Sequence, residues 1–261
     1  MSEEKLDIVF TCPHPDDLEI GMGGTIALCV QQGYRVGMVH MTTGEPTPRG
    51  TLETRAKESE AAAEILGAHV CLTLDMPNRE LMDCPENRYK LATVLRRYQP
   101  RIVVGMAGRT VAASPDHFQA QLITEASRFY SQLTKWDDRF DNTKPHRMDH
   151  LMYRVTPWSA EHLFFKSHIV VDITETLEKK IEAVRCYRSQ FNETRFVGVE
   201  HAIRSLAGAE GIGAGYKYGE LYALPRPLGV TDVVATLGDW KIPPPFDPRK
   251  PPSGEGTSTF A

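Results

Sequence analysis

The sequence predicts an α/β protein: a Rossmann-like, mostly parallel sheet with helices on both faces, built as a single domain. Three observations predict it. Short β-rich runs alternate with helical stretches at βαβ spacing through the first half of the chain. The early helical stretches are punctuated correctly, closing on Gly33 and Gly67 or opened by Pro85 and Pro115. The 261 residues are 41% hydrophobic and 25% charged, the proportions of a globular chain able to bury a core.

Taken in order, residues 6–12 form a β-rich run and residues 23–33 a helical one that stops at glycine. Residues 35–43 read as a strand, 51–66 as an Ala-, Glu- and Lys-rich helix, 69–76 as a strand and 85–98 as a helix. Residues 101–106 are strand-like, and 116–133 form an amphipathic helix. The second half is less regular. Residues 150–157 and 168–173 are strand candidates, 175–191 a helix, and the Gly-rich stretch 204–219 has no clear period. Residues 1–240 form the domain. Residues 241–261 are rich in Pro, Gly and Ser and predict an extended tail that packs on a neighbour or stays mobile.

Charge and composition narrow the function. Thirty basic against thirty-four acidic residues leave a net charge of −4, with no general pull toward nucleic acid or anionic lipid. There is no run of 18 apolar residues, so no membrane span is expected. The acidic, polar start at Met1–Lys5 is unlike a secretory signal. Five cysteines, an odd number without C-x-x-C spacing, predict reduced thiols and a cytoplasmic protein.

The informative stretch is Pro13-His14-Pro15-Asp16-Asp17-Leu18-Glu19-Ile20-Gly21-Met22-Gly23-Gly24, directly after the first strand. Prolines stiffen the loop, so an imidazole and two carboxylates are held at the C-terminal edge of the sheet, where open α/β sheets bind ligands. Imidazole nitrogen and carboxylate oxygen are zinc ligands in hydrolytic sites. Neighbouring residues of an extended segment point apart, so Asp16 and Asp17 divide two tasks, metal binding and access to water. The plain alternative is helix capping by Asp. A phosphate cradle is disfavoured, because the glycines lack the dinucleotide spacing and two carboxylates would repel phosphate. The second stretch, Ser114-Pro115-Asp116-His117, follows the fourth strand on the same edge, where His117 can complete a three-ligand site with His14.

These motifs resemble the LmbE/PIG-L family of zinc-dependent N-acetylglucosamine deacetylases. The likeness continues through Thr42-Thr43-Gly44-Glu45, Arg55-(x)2-Glu58, Asp75-Met76-Pro77-Asn78-Arg79 and Val170-Val171-Asp172-Ile173-Thr174. It runs on through Tyr187-Arg188-Ser189-Gln190-Phe191 and Gly215-Tyr216-Lys217-Tyr218-Gly219-Glu220, a closing strand. The nearest branch deacetylates glucosaminyl-malate and related small amino sugars. The resemblance implies His14, Asp17 and His117 as metal ligands and Asp16 as the general base toward water at the metal. It implies Arg55 and Asn78 as sugar contacts, a small amino-sugar substrate, and a homo-oligomer, trimer or hexamer. Sites with two His and one Asp accept ferrous iron (Fe2+) as well as zinc.

One departure stands out. The family's fourth stretch reads Arg-His-Pro-Asp-His, with the first His as an acid, whereas this chain has Ala113-Ser114. A positioned acid contributes about 10²–10⁴-fold. Three explanations compete: Asp16 returns the proton to the leaving amine; His146, His150, His162, His168 or Arg109 fills the gap; or activity has been lost while the metal is kept. The first two are favoured because Asp16 is present. Other readings are hydrolysis of another amide (a thiol conjugate or an antibiotic precursor), a catalytically impaired metal- or sugar-binding homologue, and a nucleotide-binding regulator. Among the remaining residues, His40 and His69 read as core or edge, His201 as surface, and Trp136, Trp158 and Trp240 as packing. Residues 175–180 read as a solvated charged face, and Glu45 belongs to a matched stretch that a rigid turn also explains.

Overall fold

Runs of buried β-formers set the middle of the sheet. In the computed structural model, which describes residues 5–156 and 167–237, strands β1 (Ile8–Cys12) and β2 (Val36–Thr42) are buried at every residue. Burial on both faces is what a parallel sheet covered by helices requires. The remaining strands are β3 (Val70–Met76), β4 (Ile102–Met106), β5 (His150–Arg154), β6 (Ser167–Asp172) and β7 (Gly219–Leu224). The helices are α1 (Asp17–Gln31), α2 (Leu52–Leu66), α3 (Pro85–Tyr98), α4 (Asp116–Tyr130), α5 (Leu177–Arg185), α6 (Glu193–Ala214) and α7 (Val233–Leu237).

The seven strands lie in the order β3-β2-β1-β4-β5-β7-β6, and β7 alone runs against the direction of the other six. Strand order reverses between β1 and β4, and the loops that leave these two strands sit side by side at the crevice where such sheets bind ligands. Side chains alternate to two cores. Val9, Val39 and Val103 meet Leu91, Leu95 and Ile123 of α3 and α4, while Phe10, Met38 and Val104 meet Leu18, Met22, Ile26 and Leu66 of α1 and α2. A third cluster joins α5 and α6 through Leu177, Ile181, Phe196 and Ile203.

Helix ends follow the expected chemistry where side chains decide them. Thr51 accepts the Thr54 N–H at 3.2 Å to start α2, which ends on Gly67 at φ 78°. Asn192 does the same for α6 by accepting the Arg195 N–H at 3.0 Å.

The structure corrects several sequence expectations. Helix α1 starts at Asp17, not at residue 23, so the loop is only four residues long and bears Asp16, while Asp17 is the first helical residue. Helix α4 stops at Tyr130, and the segment predicted helical over 175–191 is helical only to Arg185 before turning. Strand β5 ends at Arg154. The Gly-rich stretch that gave no period lies mostly inside the 22-residue α6, where a Cβ at Gly211 would sit 2.8 Å from Gly219 N. Gly211 lets the helix press on the turn leading into β7. The charged face of residues 175–180 is not uniformly solvated either. Glu175, Glu178 and Lys179 are exposed, but Lys180 is buried and its Nζ lies 2.6 Å from Glu220 Oε1. Trp158, Trp240, His162 and the tail 241–261 lie outside the described residues.

Candidate metal centre

The loop after β1 is fixed by its own backbone. Pro13 O accepts from both N and Oγ1 of Thr42, each at 2.9 Å, which ties the loop to the end of β2. His14 N donates to Asp17 Oδ2 at 3.0 Å, so the carboxylate folds back over the loop. Asp16 takes the left-handed conformation at φ 101°, a strained position for a residue with a Cβ, costing about 1–3 kcal/mol. Its side chain caps nothing, and the capping reading of this motif is thereby excluded. The strain turns its carboxylate to the Arg55 guanidinium, whose Nη1 lies 3.4 Å away while Nη2 donates to Pro15 O at 2.6 Å.

The second loop arrives from β4. At Gly108 the chain passes so close to the start of α4 that a Cβ would lie 1.9 Å from His117 O. Gly108 N also donates to Gln121 Oε1 at 2.9 Å. Ser114 braces the backbone: its Oγ accepts from Asp116 N at 3.3 Å and its carbonyl from His117 N at 3.1 Å. The first turn of α4 therefore aims His117 at the β1 loop.

Three side chains converge there. Asp17 Oδ2 lies 3.1 Å from His14 Nδ1 and 3.2 Å from His117 Nε2, and one ligand atom from each residue lies within 4.8 Å of the others. Two imidazole nitrogens and a carboxylate oxygen form a donor set that suits zinc or ferrous iron. The centre is partly open, with side-chain exposures of 16% for His14, 14% for Asp17 and 15% for His117.

Its electrostatics fit a cation. Burial opposes ionisation of Asp17, but the contacts with His117 and His14 outweigh it and hold the carboxyl well below the usual range. His14 is pushed up to about 9: burial acts downward and is outweighed by Asp17 and Asp116. His117 moves upward as well, with burial opposing and Asp17 prevailing. Asp16 rises to about 7, from burial first and then from the charge of Asp17, with Arg55 and His14 opposing.

Asp116, to which the sequence assigned no role, belongs to the centre. It is 1% exposed, and its Oδ2 lies 3.1 Å from His14 Nε2 and accepts from Arg79 N at 2.6 Å. A carboxylate on the far ring nitrogen keeps the proton there and leaves Nδ1 free for a metal. The signal in the sequence is its place between Pro115 and His117.

The other expected residues are distributed unevenly. Arg55 is buried and engaged with Asp16 and the Pro15 carbonyl. Asn78 is half-buried on the loop after β3, next to Arg79. His146 and His150 sit at the opposite edge of the sheet, where His146 Nε2 meets Pro100 O at 2.7 Å and His150 lines a cavity of about 750 Å³ with Met152, Ile169 and Leu228. His168 lies on the edge strand β6, four strands across the sheet from β1, so none of these three replaces the missing acid. Arg109 remains on the β4 loop, 5.7 Å over the Phe118 ring. Glu45 closes a local turn by accepting from Thr47 N at 2.7 Å. His40 is buried, and burial lowers it to about 4, while His69 Nδ1 accepts from Val36 N at 3.2 Å.

An open α/β sheet with two histidines and an aspartate at its switch point has the form of a metal-dependent enzyme, and these three residues are its candidate ligands. Comparison with known proteins gives the particular family. The family model described as PIG-L, GlcNAc-PI de-N-acetylase, matches residues 9–127. Diacetylchitobiose deacetylase of Thermococcus kodakarensis is 30% identical over 218 residues, covering 80% of this chain and 79% of the relative. The structure of N,N′-diacetylchitobiose deacetylase from Pyrococcus horikoshii superposes with a TM-score of 0.74 at 29% identity, over 83% of this chain and 82% of that one. A 4-oxalmesaconate hydratase of Pseudomonas putida is 27% identical over 191 residues, 68% of this chain and 71% of the relative. The chain belongs to the PIG-L/LmbE family, whose deacetylases are hydrolytic enzymes acting on amide bonds. Among the described residues, no helix is long and apolar enough to cross a membrane.

Proposed function

We propose that the protein is a zinc-dependent deacetylase that removes the N-acetyl group from an N-acetylglucosamine-type substrate. The observation that carries this reading is the placement of Asp16, in contact with Arg55 and directly preceding Asp17, one of three convergent ligand groups. His14, Asp17 and His117 hold the metal. Zinc bound there supplies Lewis acidity toward water and toward the amide carbonyl. Asp16 accepts the proton of the attacking water, and its value of about 7 suits a general base near neutral pH. Arg55 keeps the Asp16 carboxylate turned to the centre, which makes it a positioning residue first and a sugar contact only through whatever face remains open. Asn78 contributes a polar contact from the rim. Asp16, having taken the proton from water, delivers it to the departing amine.

The test is acetate release by metal-stripped protein titrated with zinc, using N-acetylglucosamine, N,N′-diacetylchitobiose and larger N-acetylglucosaminyl conjugates. Activity should appear with one equivalent of zinc. Asp16→Ala should lose turnover by about 10²–10⁴-fold with zinc retained, and His117→Ala should lose the metal. No acetate from any of these substrates at stoichiometric zinc would overturn the reading. A second reading, addition of water to an activated carbon–carbon double bond, is favoured by the hydratase relative. Loss of enoate absorbance with unsaturated dicarboxylic acids, without acetate release from the sugars, would select it.

A further inference from the structure

We propose that Glu220 is a positioning residue for the metal centre, gripping α1 about two turns below Asp17 and thereby fixing the path of the helix whose first turn carries Asp17 and follows Asp16. The proposal rests on the metal-site reading above but not on any particular substrate.

Glu220 is fully buried on β7, and both of its oxygens are occupied. Oε1 accepts from Gly24 N at 3.0 Å and from Lys180 Nζ at 2.6 Å. Oε2 accepts from Thr25 N at 2.9 Å, Thr25 Oγ1 at 2.5 Å and Tyr222 OH at 3.0 Å. Two consecutive main-chain N–H groups inside α1 thus donate to a carboxylate from another element. An inserted side chain of this kind acts directly on the backbone path of a helix.

The acceptors of the same turn are held from the other side. Gly21 O accepts from Arg154 Nε at 2.7 Å, with Lys180 Nζ 3.5 Å away, and Gly24 O accepts from Thr176 Oγ1 at 2.8 Å. Arg154 is itself paired with Glu210, Nη2 to Oε2 at 2.9 Å. Lys180 and Arg154 balance Glu220 and Glu210, so the buried network carries no net charge.

A purely stabilising role does not account for this arrangement. Buried ion pairs are weak stabilisers, and well-packed hydrophobic residues often do as well or better. Hydrophobic side chains, however, offer no acceptor to the Gly24 and Thr25 amides and no donor to the Gly21 carbonyl. The glycines make the grip possible: a Cβ at Gly24 would lie 2.7 Å from Ile173 Cβ, and one at Gly23 3.1 Å from Lys180 Cγ. They also weaken α1 as a helix, since each glycine costs roughly 0.5–1 kcal/mol relative to alanine. The network restores order where the sequence removed it. Gly21 lies four residues, about 6 Å along the axis, from Asp17. The anchored turn therefore adjoins the turn that presents the ligand and follows the strained Asp16.

The experiment uses the full chain with Co(II) in the centre and follows its visible ligand-field absorption. Zinc affinity by chelator competition and the thermal midpoint are measured in parallel. Glu220→Gln should weaken zinc binding by about tenfold, the scale of losses outside the direct ligand set, and should alter the cobalt spectrum. Leu66→Ala, a core truncation at the far end of α2, should lower the thermal midpoint and leave both metal readouts at wild-type values. If Glu220→Gln does not fold, Thr25→Val, which deletes one donor to Oε2, should shift affinity and spectrum in the same direction by less. Wild-type affinity and spectrum in Glu220→Gln despite a lowered midpoint would overturn the proposal, as would wild-type values in a folded Thr25→Val. A wild-type protein that takes up no stoichiometric cobalt or zinc would instead overturn the metal-site reading itself.

Discussion

Replacing Asp116 tests the architecture of the centre most directly, because Asp116 is assigned no bond to the metal. Its Oδ2 sits against His14 Nε2 at 3.1 Å and takes the Arg79 N–H at 2.6 Å, with the residue 1% exposed. Asp116→Asn preserves shape and removes the charge that fixes the proton on Nε2. Asp116→Ala removes the acceptor altogether and leaves both His14 Nε2 and Arg79 N without it. Partners of metal-ligating histidines typically contribute 10–100-fold to metal affinity, so Asn should sit near the lower bound, about 1.4 kcal/mol, and Ala near the upper, about 2.7 kcal/mol. Chelator competition at fixed pH measures both. A double-mutant cycle identifies the route: in a His14→Ala background, Asp116→Asn should add little further loss. Unchanged affinity in both Asp116 variants would refute the reasoning, and so would a full further loss in the His14→Ala background.

Other consequences follow from the same geometry. Because His14 is held at about 9 in the metal-free protein, its ring is protonated at pH 7 and must give up a proton to become a ligand. Zinc affinity should therefore rise by about tenfold per pH unit up to about 9, and calorimetric heats should vary with the ionisation enthalpy of the buffer; heats independent of the buffer would contradict this. Gly108→Ala places a Cβ 1.9 Å from His117 O, so the start of α4 must shift. Soluble yield or metal content should fall sharply, with at least the 1–3 kcal/mol of ordinary overpacking lost in denaturant titration. Thr51→Ala removes the α2 cap and should cost about 1 kcal/mol in urea unfolding while zinc affinity stays unchanged.

The parts of the centre that were legible in sequence are those written locally. His14 and Asp16 share one stiffened loop, Asp17 opens the helix that follows it, and His117 follows a proline at a helix start, so residue types and chain order were enough to bring them together. The roles of Arg55 and Lys180 were read differently because burial was not visible. Arg55, expected as a sugar contact, is buried against Asp16 and the Pro15 carbonyl, and Lys180 is turned inward from a stretch whose other charged residues are exposed. The histidines offered as substitutes for the missing acid failed for a topological reason. His146 and His150 lie on the approach to and at the start of β5, and strand direction alone puts them on the far edge.

By itself the sequence determined the alternation of strands and helices, the parallel sheet and the edge carrying the ligands, because periodicity and turn chemistry act over a few residues. Only the tertiary structure decided that β7 enters antiparallel between β5 and β6, that Asp116 backs His14 across 102 positions of chain, and that Glu220 grips α1 across 196. Such pairings depend on which elements pack together, and a buried carboxylate finds its donors wherever the chain's path brings them.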